Sequence, residues 1–383
     1  MAAKIMIRAA IAIMLLLAVG EEASALLIQK IIESDDGDTI DCVAISTEIL
    51  QPTRSMKAIV ADSDIAVAAE ERPQSWRKGG AGCPSGTVPI RRSPAANDMN
   101  TTEAFSIAGK GAPPPRELSG TVEKAAAYGT NGPYHGIRAE VPVWRVNVNH
   151  PDEFSMNYVM IGCTLDTSWL PGIGADPPSS LPNQIMAGVM TWPSVFGDSL
   201  SRLFVYYTND SGVHHNCFNT ECGGFQITNT KYSLGTAWSG ESQLGGQQYG
   251  VYVGIHRDDT KLIWWVSVMD VDIGYFNDTV FDTRFPEGSY VEMGGRVLNT
   301  RPGGKHTTTP MGSTIPSCAS TLYAASIKRY LGVSALGQLF LDQVDRTVAT
   351  VPSCYNARHI GFGKKQPGYQ TAYGGAGGKF CDL

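Results

Sequence analysis

The chain has 383 residues, room for two domains or for one large β domain with an appendage. It is 43% hydrophobic and 17% charged, and its formal net charge of −6 argues against nucleic acid or an anionic membrane as the main partner. With 42 glycines, 22 prolines and few helical heptad patterns, the composition favours a turn-rich, all-β chain. Residues 1–25 read as a signal peptide. Lys4 and Arg8 form a basic start, Ala9 to Val19 an apolar run, and Ala23-Ser24-Ala25 a small-residue cleavage site. That run is too short for a comfortable membrane span and no later one is long enough, so a secreted chain with no membrane span after signal cleavage is expected.

Secretion sets how the 8 cysteines are read. In an oxidising compartment an even count suggests disulfides, although 105 pairings are possible. A metal site is the weaker reading, because the sequence has no CxxC pair and no HExxH motif. The adjacent His214 and His215 would point to opposite faces of a strand. Three N-x-S/T sequons, at Asn100, Asn209 and Asn277, suit a glycosylated chain.

Residues 26–95 hold Cys42 and Cys83 in a weakly patterned stretch, as in a small domain stapled by one disulfide. Residues 96–133 turn rich in Ala, Pro and Gly around "GKGAPPPRELSG" and read as a linker or processing region. From Tyr134 to the end the pattern is β. "EVPVWRVNV", "FSMNYVMIG", "RLFVYYT", "GVYVGI", "LIWWVSVMDV" and "YVEMGGRV" are short, aromatic and β-branched, with turn residues between them. An antiparallel β-sandwich or barrel is the natural architecture. "STLYAASIKRYLG" is ambiguous between a short helix and a strand.

The chain has no GxSxG, no P-loop, no dinucleotide fingerprint and no cysteine-protease signature. Paired carboxylates are the remaining common chemistry, one ionised as base and one protonated as acid. Glu140, Glu153 and Glu292 lie in plausible strands, and Glu241 in the loop "SGESQLGGQQ". Each is more often a solvated or rim group than a catalyst. Trp264-Trp265 and Tyr206-Tyr207 likewise read first as core and surface aromatics. In "VEMGGRV", Glu292 and Arg296 share one face, with Gly294-Gly295 between them calling for a bulge or a close approach.

"DCVAI" and "CPSGTVPIRR" resemble the activation-peptide domain of the neprosin family of secreted plant proteins. "YHGIRAEVPVW", "RLFVYYTNDSGVHHNCFNTECGGFQITN", "GGRVLNTRPGGKHTTTPMGS" and "YGGAGGKFC" resemble its C-terminal domain in order. The resemblance implies a small N-terminal pro-domain ahead of a C-terminal antiparallel β-sandwich over 134–383. Active members are glutamic endopeptidases that cut after proline at acid pH, using two glutamates and a water, with no metal or cofactor. The two glutamate positions fall here on Met186 and Arg296. Methionine cannot move a proton, and arginine offers only donors. The resemblance therefore implies a non-catalytic homologue binding a proline-containing peptide or a cell-wall ligand, with the pro-domain as its own partner. The alternative is an active peptidase that uses displaced carboxylates such as Glu292 and Glu241.

At four residues' spacing Glu292 and Arg296 lie roughly 13 Å apart along an extended strand. If a bulge brought them together, the guanidinium would hold the carboxyl ionised. By position in the family, Cys42 would pair with Cys83, Cys217 with Cys222 and Cys354 with Cys381. Cys163 and Cys318 are left to pair or to stay free.

Overall fold

The computed structural model describes residues 28–45, 50–65, 68–92, 116–172, 175–281, 285–344, 346–363, 368–378 and 381. The expected signal peptide and the sequon at Asn100 lie outside the described residues.

The N-terminal unit opens with β1 (Ile28–Glu33) and β2 (Thr39–Ala44), joined through Gly37 at a φ of 88°, a conformation that only glycine adopts at little cost. β3 (Thr87–Arg91) pairs antiparallel with β2. The Cys42–Cys83 disulfide spans 41 residues, and closing a loop of that length is worth about 4 kcal/mol on a chain-entropy account. Between these strands lies α1 (Met56–Ala61), whose first turn is capped by the Ser55 hydroxyl accepting from the Ala58 amide.

The remaining strands build two antiparallel sheets. In spatial order the first holds β17 (Arg346–Ala349), β4 (Thr121–Gly129), β14 (Tyr290–Asn299), β6 (Ser155–Cys163), β7 (Asn183–Thr191), β8 (Arg202–Thr208) and β9 (Cys217–Phe218). The second holds β10 (Phe225–Ile227), β13 (Val271–Asn277), β12 (Ile263–Val268), β11 (Gly250–Asp258), β5 (Gly136–Pro142), β15 (Ala325–Val333), β19 (Tyr369–Gly374) and β18 (Asn356–Phe362), with β16 (Leu339–Phe340) beside β15. The sheets stack as the expected all-β sandwich. Strand alternation sends Val291, Met293 and Val297 of β14 inward, into one core with Ile137, Ala139 and Val253 of the facing sheet. The opposite face of the first sheet is also buried. Tyr128, Tyr158, Met160, Met186 and Tyr206 form a second apolar cluster there. Burial on both faces explains why β6, β7 and β8 read as near-continuous apolar runs.

Two readings are corrected and one ambiguity is resolved. The stretch 96–133, taken for a linker, ends in β4, which lies between β17 and β14 in the first sheet. Its Ala-rich composition has a packing cause, since a Cβ on neighbouring Gly294 would fall 2.3 Å from the Ala125 carbonyl oxygen and 2.8 Å from the Ala126 Cβ. Small side chains let the two strands approach closely. "LIWWVSVMDV" is two strands, β12 and β13, joined at Met269 and Asp270 with φ of 51° and 60°, the two positive values that a tight hairpin of the primed type requires. "STLYAASIKRYLG" contains strand β15, and a register shift near Arg329, whose φ is 54°, blurs its period-two pattern.

Candidate functional site

The outward face of β14 presents Tyr290, Glu292, Gly294, Arg296 and Leu298. Register carries this face across the sheet. Glu292 lies opposite Tyr128 on β4 and Met160 on β6, Met160 opposite Met186 on β7, and Met186 opposite Tyr206 on β8. Arg296 lies opposite Lys124 and Met156. Met186 and Arg296, the positions that the resemblance expects to match the family's glutamates, are thus on one face of one sheet.

Glu292 is fully buried and bound by four donors. Lys124 Nζ reaches Oε2 at 2.5 Å and the Tyr290 hydroxyl reaches the same oxygen at 2.8 Å. Arg296 Nη2 donates to Oε1 at 2.6 Å, and the Tyr158 hydroxyl donates to that oxygen as well. An ionised carboxylate has about four acceptor sites, and all four are occupied. Arg296 also donates from Nε to the Tyr158 hydroxyl at 3.0 Å, and its guanidinium lies 4.7 Å from the centre of that ring.

No bulge brings Glu292 and Arg296 together. Register is unbroken on both sides of β14, and the arginine side chain itself spans the gap. The glycines serve close approach instead. A Cβ on Gly295 would lie 2.5 Å from Met311 Cγ and 2.8 Å from the Tyr373 ring.

Burial pushes the Glu292 carboxyl up, but the Lys124 and Arg296 charges and their hydrogen bonds hold it well below the usual carboxylate range. Burial raises Tyr158 and Tyr290, which therefore stay protonated as donors. The sign for stability follows. Glu292 stabilises the fold above its unfolded value near 4.5, and that contribution is lost only as pH falls through the depressed folded value. A carboxyl-carbon NMR titration should show no midpoint for Glu292 between about pH 3 and pH 6, and a midpoint in that window would refute the assignment.

The other candidate carboxylates are scattered. Glu241 accepts from Arg145 at 2.7 Å and shares no partner with Glu292. Glu153 is buried and accepts from the Thr300 amide and hydroxyl, both at 3.1 Å, from the Thr307 hydroxyl at 2.5 Å and from the Thr309 hydroxyl. It thereby pins "HTTTP" rather than facing a ligand. Glu140 lies 3.4 Å from Arg329. Trp264 and Trp265 are fully buried, Trp264 in the inter-sheet core. Lys124, Tyr158 and Tyr290, which make the Glu292 cluster, escape a reading from spacing. Period-two alternation in "FSMNYVMIG" could have flagged Tyr158, whereas Lys124 was hidden in the presumed linker.

Cys42–Cys83, Cys217–Cys222 and Cys354–Cys381 are bonded as the resemblance implies, whereas Cys163 and Cys318 are free thiols. Two groups bring histidine and sulfur together, His215 with Cys217 and Cys222, and Glu123 with His306 and Cys354. Disulfide bonding takes up those sulfurs, leaving fewer donors than a zinc site uses. Asn209 and Asn277 are half-buried; Asn209 donates to the Val280 carbonyl and Asn277 accepts from the Thr279 amide. No helix among the described residues is long and apolar enough to cross a membrane.

At Leu298 the same face borders a groove of about 420 Å³. Trp192 and Leu298 line it with Leu118, Ser194, Glu117 and Asp152.

Two stacked antiparallel sheets with a buried polar row on one outer face make this a β-sandwich protein. Residues 165–376 match the Neprosin family model, and the chain belongs to that family. Among solved structures, scytalido-glutamic peptidase with a transition state analog inhibitor is 10% identical, covering 67% of this chain and 100% of its own at a TM-score of 0.35. A member of the eqolisin family of peptidases in complex with the tripeptide Ala-Ile-His is 8% identical, with coverages of 68% and 100% and a TM-score of 0.32. A homodimeric agglutinin from chicken liver is 11% identical, with coverages of 46% and 92% and a TM-score of 0.23. Nothing about this chain's chemistry rests on these distant likenesses.

Proposed function

We propose that this chain is a secreted, non-catalytic member of the Neprosin family that binds proline-containing peptide or cell-wall ligands on its peptidase-like scaffold. One observation carries the proposal. The carboxylate on the candidate face, Glu292, has every acceptor site filled by Lys124, Arg296, Tyr158 and Tyr290, so it can neither activate a water nor hold a transferable proton. The two positions that match the family's glutamates carry Met186, buried among apolar side chains, and Arg296, paired to that carboxylate. A dyad of Glu292 with Glu241 finds no support, because the two groups are held by different cations. The three disulfides fit an oxidising, extracellular setting. The groove bordered by Glu117, Leu118, Ser194 and Thr300, with Trp192 and Leu298 buried beneath it, supplies a surface on which such a ligand could lie.

The purified chain, incubated with proline-rich peptides from acid to neutral pH, should release no cleavage product. It should bind those peptides by calorimetry, with binding weakened by Ser194→Trp, which would fill the groove from an exposed position. Cleavage abolished by both Glu292→Gln and Glu241→Gln would instead establish the displaced-carboxylate peptidase.

A further inference from the structure

We infer that the N-terminal unit is a lasting partner of the sandwich, so that cutting the connection between residues 92 and 116 leaves a two-chain assembly rather than a freed β domain. Four contacts join the two bodies; the ion cluster, Gln74 and the apolar contact use buried groups on both sides, and the third sets buried or half-buried sandwich carboxylates against main-chain amides of the unit.

The first is a mixed ion cluster. Arg202 of β8 is fully buried and donates from Nη1 to Asp38 at 2.6 Å and to the Gly235 carbonyl at 2.7 Å, and from Nη2 to Asp198. Asp38 belongs to the N-terminal unit and also accepts from Arg91 Nε at 2.7 Å, while Arg91 Nη2 donates to the Phe196 carbonyl at 2.7 Å. Departure of the unit would strip a buried arginine of one of its two carboxylates, the kind of loss that is expensive inside a protein.

The second is Gln74, with no exposed surface. Its amide nitrogen donates to the Ser233 carbonyl at 2.9 Å, and its amide oxygen accepts from the Ser233 main chain at 2.8 Å and the Trp76 indole at 2.9 Å. Ser75 adds a main-chain bond to the Ala237 carbonyl at 2.9 Å.

The third is a set of three sandwich carboxylates that take main-chain amides from the unit. Asp258 accepts from Thr53 at 2.8 Å, Asp272 from Met56 at 3.3 Å and Asp270 from Ala69 at 3.1 Å. Within the sandwich, Asp270 is already clasped by Arg138 at 2.7 and 2.9 Å, and Asp272 lies 2.9 Å from His256. These acceptors are therefore pre-positioned.

The fourth is apolar. Met56, Ile59 and Val60 of α1 bury against Leu331, Val333 and Leu339. Gly254 of β11 leaves the space that Met56 fills, because a Cβ there would come within 2.6 Å of the Met56 Cε. Such an apolar and hydrogen-bonded interface has the anatomy of a stable complex rather than of a passing contact. Cys42–Cys83 lies wholly within the unit, so the association after cleavage rests on these non-covalent contacts. The inference does not depend on whether the sandwich catalyses anything.

The test places a site for a specific protease between residues 92 and 116 of the full chain and cuts it. The two fragments should co-elute at the mass of the uncut protein at neutral pH, with an unchanged melting temperature. Elution as separate fragments would overturn the inference. In the cut protein, Asp38→Asn should speed dissociation about 30-fold or more, the factor expected when one partner of a buried charge pair is lost. Dissociation as slow as in the unsubstituted protein would overturn it too, since the contacts named here would not be what holds the bodies together.

Discussion

Arg296→Met should lower the free energy of unfolding by about 3–5 kcal/mol, because it removes a donor and a charge from a fully buried carboxylate. Tyr158 would lose its stacked guanidinium in the same step. Glu292→Met should be comparably harmful, since it leaves Arg296 facing Lys124 with no carboxylate between them. The double variant E292M/R296M should recover most of the loss. An apolar pair fits the surrounding methionines and tyrosines, and the partly exposed Lys124 can turn to water. Urea unfolding of the four proteins closes the cycle. Single variants within about 0.5 kcal/mol of the parent would show that the cluster contributes little.

Gly188→Ala should cost about 3 kcal/mol, the upper range for forcing extra volume into a packed interior. A Cβ at Gly188 would sit 2.1 Å from the Asn157 carbonyl oxygen and 2.9 Å from the Tyr158 Cα, both main-chain atoms of β6 that cannot step aside alone. Any shift of β6 would also pull the Tyr158 hydroxyl from Glu292, so the damage should reach the site. Gly82→Ala is the control. Nothing lies within 4 Å of its Cβ position and its φ is not in the left-handed region, so its melting temperature should match the parent's.

Much of the architecture could be read from the residues. Alternating β-branched and aromatic runs located β6, β8, β11 and β14, and the paired faces of β14 could be assigned from period two alone. Composition misled where packing was tightest. Ala125, Ala126 and Ala127 looked like linker because the approach of β14 leaves room only for small side chains. The hairpin at Met269 and Asp270 was missed because neither residue is one of the glycine or asparagine signals that usually mark a primed turn.

The site was legible at Glu292, Arg296 and Met186 and illegible in its meaning. Four residues on a strand suggested separation, whereas a long arginine side chain closed the distance without a bulge. Tyr290 lies two residues away on the same strand, but Lys124 and Tyr158 come from β4 and β6, 168 and 134 positions away in the chain, and sheet order is not written in local spacing.

The saturated carboxylate also bears on how such a protein can change over generations. Arg296→Glu by itself would set a second buried acid four residues from Glu292 with only Lys124 as counter-charge, and like charges would force one of them to take up a proton. Met186→Glu by itself would put an acid among methionines and tyrosines. Each single step toward an acid pair lowers stability before any chemistry could reward it. The ion cluster thus acts as a barrier, and an acid pair at positions 186 and 296 should be tolerated only with compensating changes around Glu292.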